Sequence, residues 1–191
     1  PLGVTQAINA PQGVSVAYTD SIPLLAVLCR PLAAALGGTF QYFGWFTLVC
    51  FALQGGFASL LCGLFAEGLA APLAGSLVFA ASPILLERAF RHTSLGAQWL
   101  VLAALYCYFV CRRQSRFASR GLFVINILAV GIHPYFLPMT YAVTLALLLE
   151  YADLAAIGTV ADVMQLTGEN RSIVTLGLNL IPTTRRVGLT M

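Results

Sequence analysis

The sequence lacks lysine altogether and is poor in charge of either sign. All ten cations are arginine, only seven residues are acidic, and charged residues make up 9% of the 191 residues. Soluble domains carry about 25% charged residues, whereas this chain is 59% hydrophobic. These shortages exclude an ordinary soluble domain and indicate an integral membrane protein. The net charge of +3 is small, so we expect membrane lipid and no nucleic acid among its partners.

The sequence also lacks the spacings that hold metals or bind nucleotides. Its five cysteines form no C-x-x-C pair, and four lie within or at the end of apolar runs, which is typical of small packing residues. No P-loop, G-x-G-x-x-G, H-E-x-x-H or G-x-S-x-G motif is present. We therefore expect no cofactor, and the sequence does not support a divalent metal site.

What the sequence does contain is a series of long apolar stretches. A helix needs about 20 apolar residues to cross the ~30 Å hydrocarbon core of a bilayer. The predicted spans cover residues 43–64, 69–86, 95–111, 121–132 and 135–149. Because the loops between them are short, neighbouring helices should be antiparallel. The fold class predicted is all-α, a polytopic transmembrane helix bundle with about five spans.

Three regions are predicted along the chain. Residues 1–42 are broken by prolines and glycines and form an outer-face segment, with an interfacial or re-entrant helix near 22–36 that Arg30 and Pro31 interrupt. Residues 43–151 form the transmembrane bundle. Residues 152–191 have scattered charge and no full span, so they are predicted to be a cytoplasmic or truncated tail.

The arginines predict the orientation of the bundle. The loop at 111–120, CRRQSRFASR, holds four arginines and no acid, so it is assigned to the cytoplasm. Counting alternate crossings then places Asp20, the loop at 87–94 and His133 on the outer side. Arg88 and Arg91 lie there against the positive-inside tendency, which suggests that they have a function on that face.

Asp20 is the single acidic residue before Glu67, and two interpretations of it stay open. Asp20 or Ser21 is suited to capping a helix whose first turn contains Pro23. Alternatively, the Asp20 carboxylate is a general base on an outer loop, taking the proton of an attacking hydroxyl.

The basic residues of the outer loops also have two interpretations. Arg88 shares a helical face with Arg91 and with His92, and guanidinium groups bind phosphate in a fork geometry. His133 is a further candidate for the same anion or for proton transfer. The alternatives are arginines that reach lipid headgroups and a histidine that ends a helix before Pro134. For Gln54, Gln98 and Asn126, within or near the spans, interhelical hydrogen bonds are expected.

Four stretches carry a resemblance to a known family: NAPQGVSVAYTDSIPLLAVLCRPL, FQYFGWFTLVCFALQGGFASLL, SPILLERAFRHTSLGAQWLVLAALYCYF and GIHPYFLPMTY. They resemble a bacterial family of polytopic membrane proteins of unassigned function, which is in turn similar to the GT-C class of membrane glycosyltransferases. That resemblance implies a polyprenyl-phosphate sugar donor and a site on the outer face of the inner membrane. It implies Asp20 as the catalytic residue, with Tyr18 beside it and Arg88, Arg91, His92 and His133 as substrate-binding residues.

The leading functional hypothesis is therefore an inverting GT-C-type glycosyltransferase that transfers a sugar to an outer-face acceptor. A transporter or flippase for a lipid-linked or anionic substrate is the second hypothesis, and it predicts charge near the middle of the membrane. A non-catalytic membrane scaffold is the third. The enzyme hypothesis requires Asp20, Arg88 and His92 to share one cavity, whereas the scaffold predicts that they lie apart.

Overall fold

The computed structural model describes residues 3–6, 9–16, 19–37, 40–114, 119–161 and 165–183. Apart from one short pairing of strands, the regular structure of these residues is helical, so the predicted all-α class is confirmed. The chain divides into two compact units, Pro1–Tyr141 and Ala142–Met191. The division falls within one helix that belongs in part to each unit.

The elements of the first unit begin with an antiparallel pair of two-residue strands in which Val4 pairs with Ser15. They are β1 (Val4–Thr5), β2 (Val14–Ser15), α1 (Pro23–Leu36), α2 (Phe43–Gly63), α3 (Ala70–Ala80), α4 (Pro83–Arg91), a 3₁₀ turn (Thr93–Gly96), α5 (Trp99–Gln114), α6 (Ser119–Ile132) and the start of α7 (Phe136–Glu150). The second unit contains the rest of α7, α8 (Ala152–Ala161), α9 (Gly168–Leu180) and a 3₁₀ turn (Ile181–Thr183).

Within the described residues, three helical segments are long and apolar enough to cross a membrane, or four if a bent pair is one span. They are Phe43–Gly63, Ala70–Arg91, Thr93–Arg113 and the pair Phe136–Glu150 with Ala152–Ala161, bent by 50°. Helix α6 is apolar but has only 14 residues, fewer than the usual minimum of about 17 for a span. The apolar helices indicate a membrane protein.

The predicted second span is divided and extended in the structure. Helix α3 ends at Ala80, and Ser82 starts α4 by accepting a hydrogen bond from the Leu85 N–H at 3.5 Å. Pro83 occupies the first helical position, where its missing N–H leaves no intrahelical bond unmade. The segment therefore continues to Arg91 and carries Arg88 at its last turn, beyond the end predicted at residue 86.

Helix α1 occupies the stretch at 22–36 where a helix was predicted. It runs unbroken from Pro23 to Leu36 with Pro31 inside it, and it ends at Gly37 in the left-handed conformation. Proline's fixed φ near −65° is compatible with a helix, so Pro31 removes one backbone donor without forbidding the conformation. Ile22 is the N-terminal cap residue, and no side chain caps this end. The cap that was one interpretation of Asp20 or Ser21 is therefore not formed here.

Small residues bring α2 and α3 into close contact. A Cβ added at Gly75 of α3 would collide with the Cys62 Sγ of α2, and one added at Gly55 of α2 would lie 2.8 Å from the Ser76 Oγ. Close approach at small residues is the usual way in which membrane helices gain packing contact. Helix α5 also packs on α2, where the rings of Phe57 and Trp99 stack with their centroids 5.9 Å apart. These contacts fix the level of α2 against its neighbours.

The second unit is a pair of packed helices. Gly177 of α9 lies so close to Ala152 and Ala156 of α8 that a Cβ at this position has no room. Asp153 is buried in the first turn of α8, and its carboxylate accepts the Leu154 N–H at 2.7 Å. The segment predicted to be a cytoplasmic or truncated tail, 152–191, therefore contains two helices that pack on each other.

Candidate functional site

Asp20 lies against the turn that follows α4. Its Oδ1 accepts two hydrogen bonds from Ser94, one from the backbone N–H at 3.3 Å and one from the hydroxyl. Ser94 is fully buried, and its N–H lies in the first turn of the Thr93–Gly96 3₁₀ helix, where backbone donors have no helical partner. Asp20 therefore satisfies a turn 74 residues away and ties the N-terminal segment to it.

The polar side chains at the end of α4, just before that turn, face outward. Arg91 forms an ion pair with Glu87 on the same helix at 3.9 Å, and the two side chains are 75% and 59% exposed. His92 is exposed and ends α4, where its backbone N–H donates to the Arg88 carbonyl at 2.9 Å. An ion pair this exposed contributes little to stability. Arg91 and His92 are thus available to solvent or to lipid headgroups.

A cavity of about 430 Å³ lies beside this turn, within the first unit. Its wall is mostly apolar and includes residues of α2, α4, α5 and α7. The lining residues are Gln54, Phe79, Ser82, Ile84, Arg88, Leu95, Gln98, Val101, Leu102, Tyr135, Phe136 and Met139. Among the described residues, the half-buried Arg88 side chain has no hydrogen-bond or ion-pair partner. A cation that lacks a partner and lies in an apolar wall favours an anionic ligand.

Gln54 is the second unusual group of this cavity. It is 3% exposed, and its Oε1 is enclosed without a hydrogen-bond partner in the part of the chain that the structure describes. Asn126 shows the contrast, because its Oδ1 accepts a hydrogen bond from Thr140 of α7 at 2.9 Å. Among the described residues, the expected interhelical hydrogen bond is therefore present at Asn126 and absent at the Gln54 oxygen.

His133 has a local role in the turn between α6 and α7. Its Nδ1 accepts a hydrogen bond from the Tyr135 N–H at 3.2 Å. The two rings pack edge to face with centroids 6.4 Å apart. Tyr135 in turn is among the residues lining the cavity, whereas His133 is not.

One end of the bundle brings together Asp20, the start of α1 and the start of α2. Asp20 reaches Ser94, and the start of α1 meets the end of α6, where a Cβ at Gly131 would lie 3.1 Å from the Leu24 Cβ. The phenol of Tyr42, at the start of α2, interacts with the backbone of Ile22. Burial raises the pKa of the Tyr42 phenol, and the nearby Cys29 thiol adds to the rise. The phenol is therefore a neutral group at physiological pH.

The structure does not bring the residues that the sequence nominated into one cavity. Of Asp20, Arg88, Arg91, His92 and His133, only Arg88 is among the residues lining the cavity. The requirement of the enzyme hypothesis, that Asp20, Arg88 and His92 share one cavity, is therefore not met. Tyr18 lies outside the described residues. The lining residues that sequence reasoning missed are chiefly Gln54, Gln98 and Tyr135. The signal that could have found Gln54 is an amide in the middle of an otherwise apolar 21-residue helix.

Comparison with known proteins gives one extensive match and two short ones. A curated relative, the single-stranded-DNA-specific exonuclease RecJ of Thermus thermophilus, is 61% identical over 41 residues, which are 22% of this chain and 6% of that protein. RecJ of Bacillus subtilis is 58% identical over 40 residues, 21% of this chain and 5% of that protein. The chain thus matches only a small part of each relative's length. No solved structure was found to match. The model of a domain of unknown function, DUF6311, matches residues 1–174, and the chain therefore belongs to the DUF6311 family.

Proposed function

We propose that this protein is an integral membrane glycosyltransferase that transfers a sugar from a polyprenyl-phosphate donor to an acceptor. In this proposal the bundle lies in a bacterial inner membrane with about five crossings, and residues 1–42 face the outer side. The observation that supports it most is the Arg88 side chain, which lacks a partner among the described residues and lines an apolar cavity. An anionic headgroup on an apolar chain matches both features of that cavity.

Arg88 and the apolar wall bind different parts of the donor. The guanidinium binds the donor phosphate through two parallel N–H donors, and the hydrocarbon chain lies against residues such as Leu102 and Met139. As the bond between the anomeric carbon and the phosphate oxygen breaks, negative charge grows on the leaving phosphate. A cation already held in a low-dielectric wall stabilises that charge without reorganisation.

Asp20 completes the proposed displacement. The acceptor hydroxyl oxygen attacks the anomeric carbon and inverts it, polyprenyl phosphate leaves, and the Asp20 carboxylate takes the hydroxyl proton. The two hydrogen bonds from Ser94 to Oδ1 hold this carboxylate in one orientation. Asp20 does not share the cavity with Arg88, so its proposed role rests on its partner Ser94, which is followed by the cavity-lining Leu95. In this proposal the acceptor approaches the donor from the side of that turn. Arg91, His92 and His133 are proposed to contact the substrates around that approach.

The other hypotheses gain less support. A transporter would favour charged groups deep in the bundle. Among the described residues, the buried polar side chains of the first unit are the neutral Gln54, Ser94 and Thr140, and the buried Asp153 belongs to the second unit. A scaffold explains the Asp20–Ser94 contact equally well, but it gives no role to an arginine that lines a cavity without a partner among the described residues. The match to the exonucleases covers no more than 6% of those proteins, so we propose no nuclease activity.

The test is sugar transfer by the full chain reconstituted in proteoliposomes with a labelled polyprenyl-phosphate sugar. Arg88→Gln should lower transfer about a hundredfold, because it removes a charge-assisted hydrogen-bonding group. Arg30→Gln, an exposed arginine on α1, is the matched control and should keep the wild-type rate. Equal rates for both variants would contradict the proposal.

A further inference from the structure

We propose that Gln54 is a specificity-determining residue of the Arg88 cavity, and that the ligand carries a second hydrogen-bonding group, a hydroxyl, on the apolar part that meets Gln54. The inference rests on the proposed function only in taking Arg88 as the anion site. It adds that the occupant is recognised at two points, and it narrows the donor of the proposed function to one whose apolar chain carries a hydroxyl that an unmodified polyprenyl chain lacks.

The first reason is the state of the Gln54 amide. It is 3% exposed, lies in the wall of an apolar cavity, and has an oxygen without a partner among the described residues. Burying an amide without a hydrogen bond is unfavourable by ~1–3 kcal/mol in proteins. A molecule in the cavity can supply the missing bond. A hydroxyl suits an amide because it both donates and accepts.

The second reason is that another side-chain amide in an apolar helix of the bundle does have a hydrogen-bond partner. Asn126, in another apolar helix, accepts a hydrogen bond from the buried Thr140 hydroxyl at 2.9 Å. Gln54 has polar cavity neighbours in Ser82 and Gln98, yet the Ser82 hydroxyl caps α4 instead. Neither neighbour donates a hydrogen bond to the Gln54 Oε1, which has no partner in the described part of the chain.

The third reason is that Gln54 and Arg88 lie at different depths. Gly55, next to Gln54, is packed on Ser76 and Ala80 near the end of α3, which places Gln54 close to the level where α4 begins. Arg88 is six residues beyond Ser82 along α4, a rise of ~9 Å in a helix. The phosphate and the second polar group of the ligand should therefore be separated by an apolar spacer.

The experiment compares two probe series on the purified full chain in lipid nanodiscs. One series is linear alkyl phosphates of increasing length, and the other is the same chains with a terminal hydroxyl. Isothermal titration calorimetry gives both affinities. We expect at least one hydroxyalkyl phosphate to bind about tenfold more tightly than the alkyl phosphate of equal length, the worth of one hydrogen bond in a dry site. A preference at no length overturns the inference.

Variants then assign the preference to a residue. Gln54→Leu should erase the hydroxyl preference while alkyl phosphates still bind, since an apolar side chain of similar size keeps the wall packed. Gln41→Leu, an exposed glutamine just before α2, should keep the preference. If Gln54→Leu retains the preference, or Gln41→Leu loses it, Gln54 is not the determinant. The wild-type comparison stands even if one variant fails to fold.

The result is separable from that of the proposed function. Arg88→Gln should weaken both probe series by the same factor. Binding of both series without a hydroxyl preference overturns the inference and leaves the glycosyltransferase proposal standing. A hydroxyl preference lost at Gln54→Leu, without sugar transfer by the wild type, supports the inference and counts against the transferase. Absence of binding by either series overturns both.

Discussion

The Asp20–Ser94 contact and the Arg88 cavity lie at the same end of the bundle, yet their polar groups are in opposite states. Asp20 accepts two hydrogen bonds from a fully buried serine. Arg88 and Gln54, by contrast, lack such partners among the described residues and line a cavity of about 430 Å³. The charge pattern and the predicted topology of the sequence indicate both regions equally as candidate functional sites. Whether a polar group already has a partner distinguishes the contact that holds the fold from the cavity that is open to a ligand.

The largest effect is expected from replacing Asp20, which is either a base in the transfer or a purely structural residue. Asp20→Asn keeps the shape but removes the base, so transfer should fall about a thousandfold if Asp20 takes the acceptor proton. Ser94→Ala removes the hydroxyl donor of the same contact. It should lower the thermal unfolding midpoint about as much as Asp20→Asn does, with a much smaller loss of transfer. Rates and unfolding midpoints are measured on both variants. Equal losses of rate would mean that Asp20 is purely structural.

A smaller effect distinguishes a satisfied polar group from an unsatisfied one. Thr140→Val removes the donor to Asn126 and should lower the free energy of unfolding by about 1 kcal/mol. Gln54→Leu should change it little or raise it, because no protein partner among the described residues is lost. Reversible unfolding in mixed detergent micelles measures both. A Gln54→Leu variant that is the less stable of the two would show that Gln54 is bonded within the protein.

The smallest effect is expected at the exposed pair of α4. Glu87→Gln breaks the ion pair with Arg91, but both groups are largely exposed and their charged atoms are 3.9 Å apart. The free energy of unfolding should therefore change by less than about 0.5 kcal/mol. Chemical denaturation measures the change. A loss above about 1 kcal/mol, beyond the usual range for an exposed pair, would show that the turn after α4 depends on more than the Asp20–Ser94 contact.

The sequence predicts much of the helical framework because hydropathy is a local property. The span predicted at 43–64 differs from α2 by one residue, since 21 consecutive uncharged residues leave little choice. The break between α3 and α4 was missed because Ser82 and Pro83 lie within an apolar stretch that is long enough to form one span. Helix α1 lies where a helix was predicted at 22–36, and it contains Pro31.

The candidate site is less predictable because it depends on contacts between distant residues. Asp20 and Ser94 are 74 positions apart, and no local pattern pairs them. Asn126 and Gln54 look alike in sequence, each an amide in an apolar helix, yet only Asn126 meets a hydroxyl across the helix interface among the described residues. Arg88 was nominated by its charge and its spacing from His92, but its place in a cavity wall follows from the packing of five helices.

The central claim is that the Arg88 cavity binds a phosphate on an apolar chain. Native mass spectrometry of the full chain, equilibrated with equal amounts of a polyprenyl phosphate and the matching polyprenol, tests this claim most directly. The wild type should retain the phosphate about tenfold or more over the alcohol, and Arg88→Gln should retain both to the same extent. Equal retention of phosphate and alcohol by the wild type, or an unchanged preference in Arg88→Gln, would contradict it.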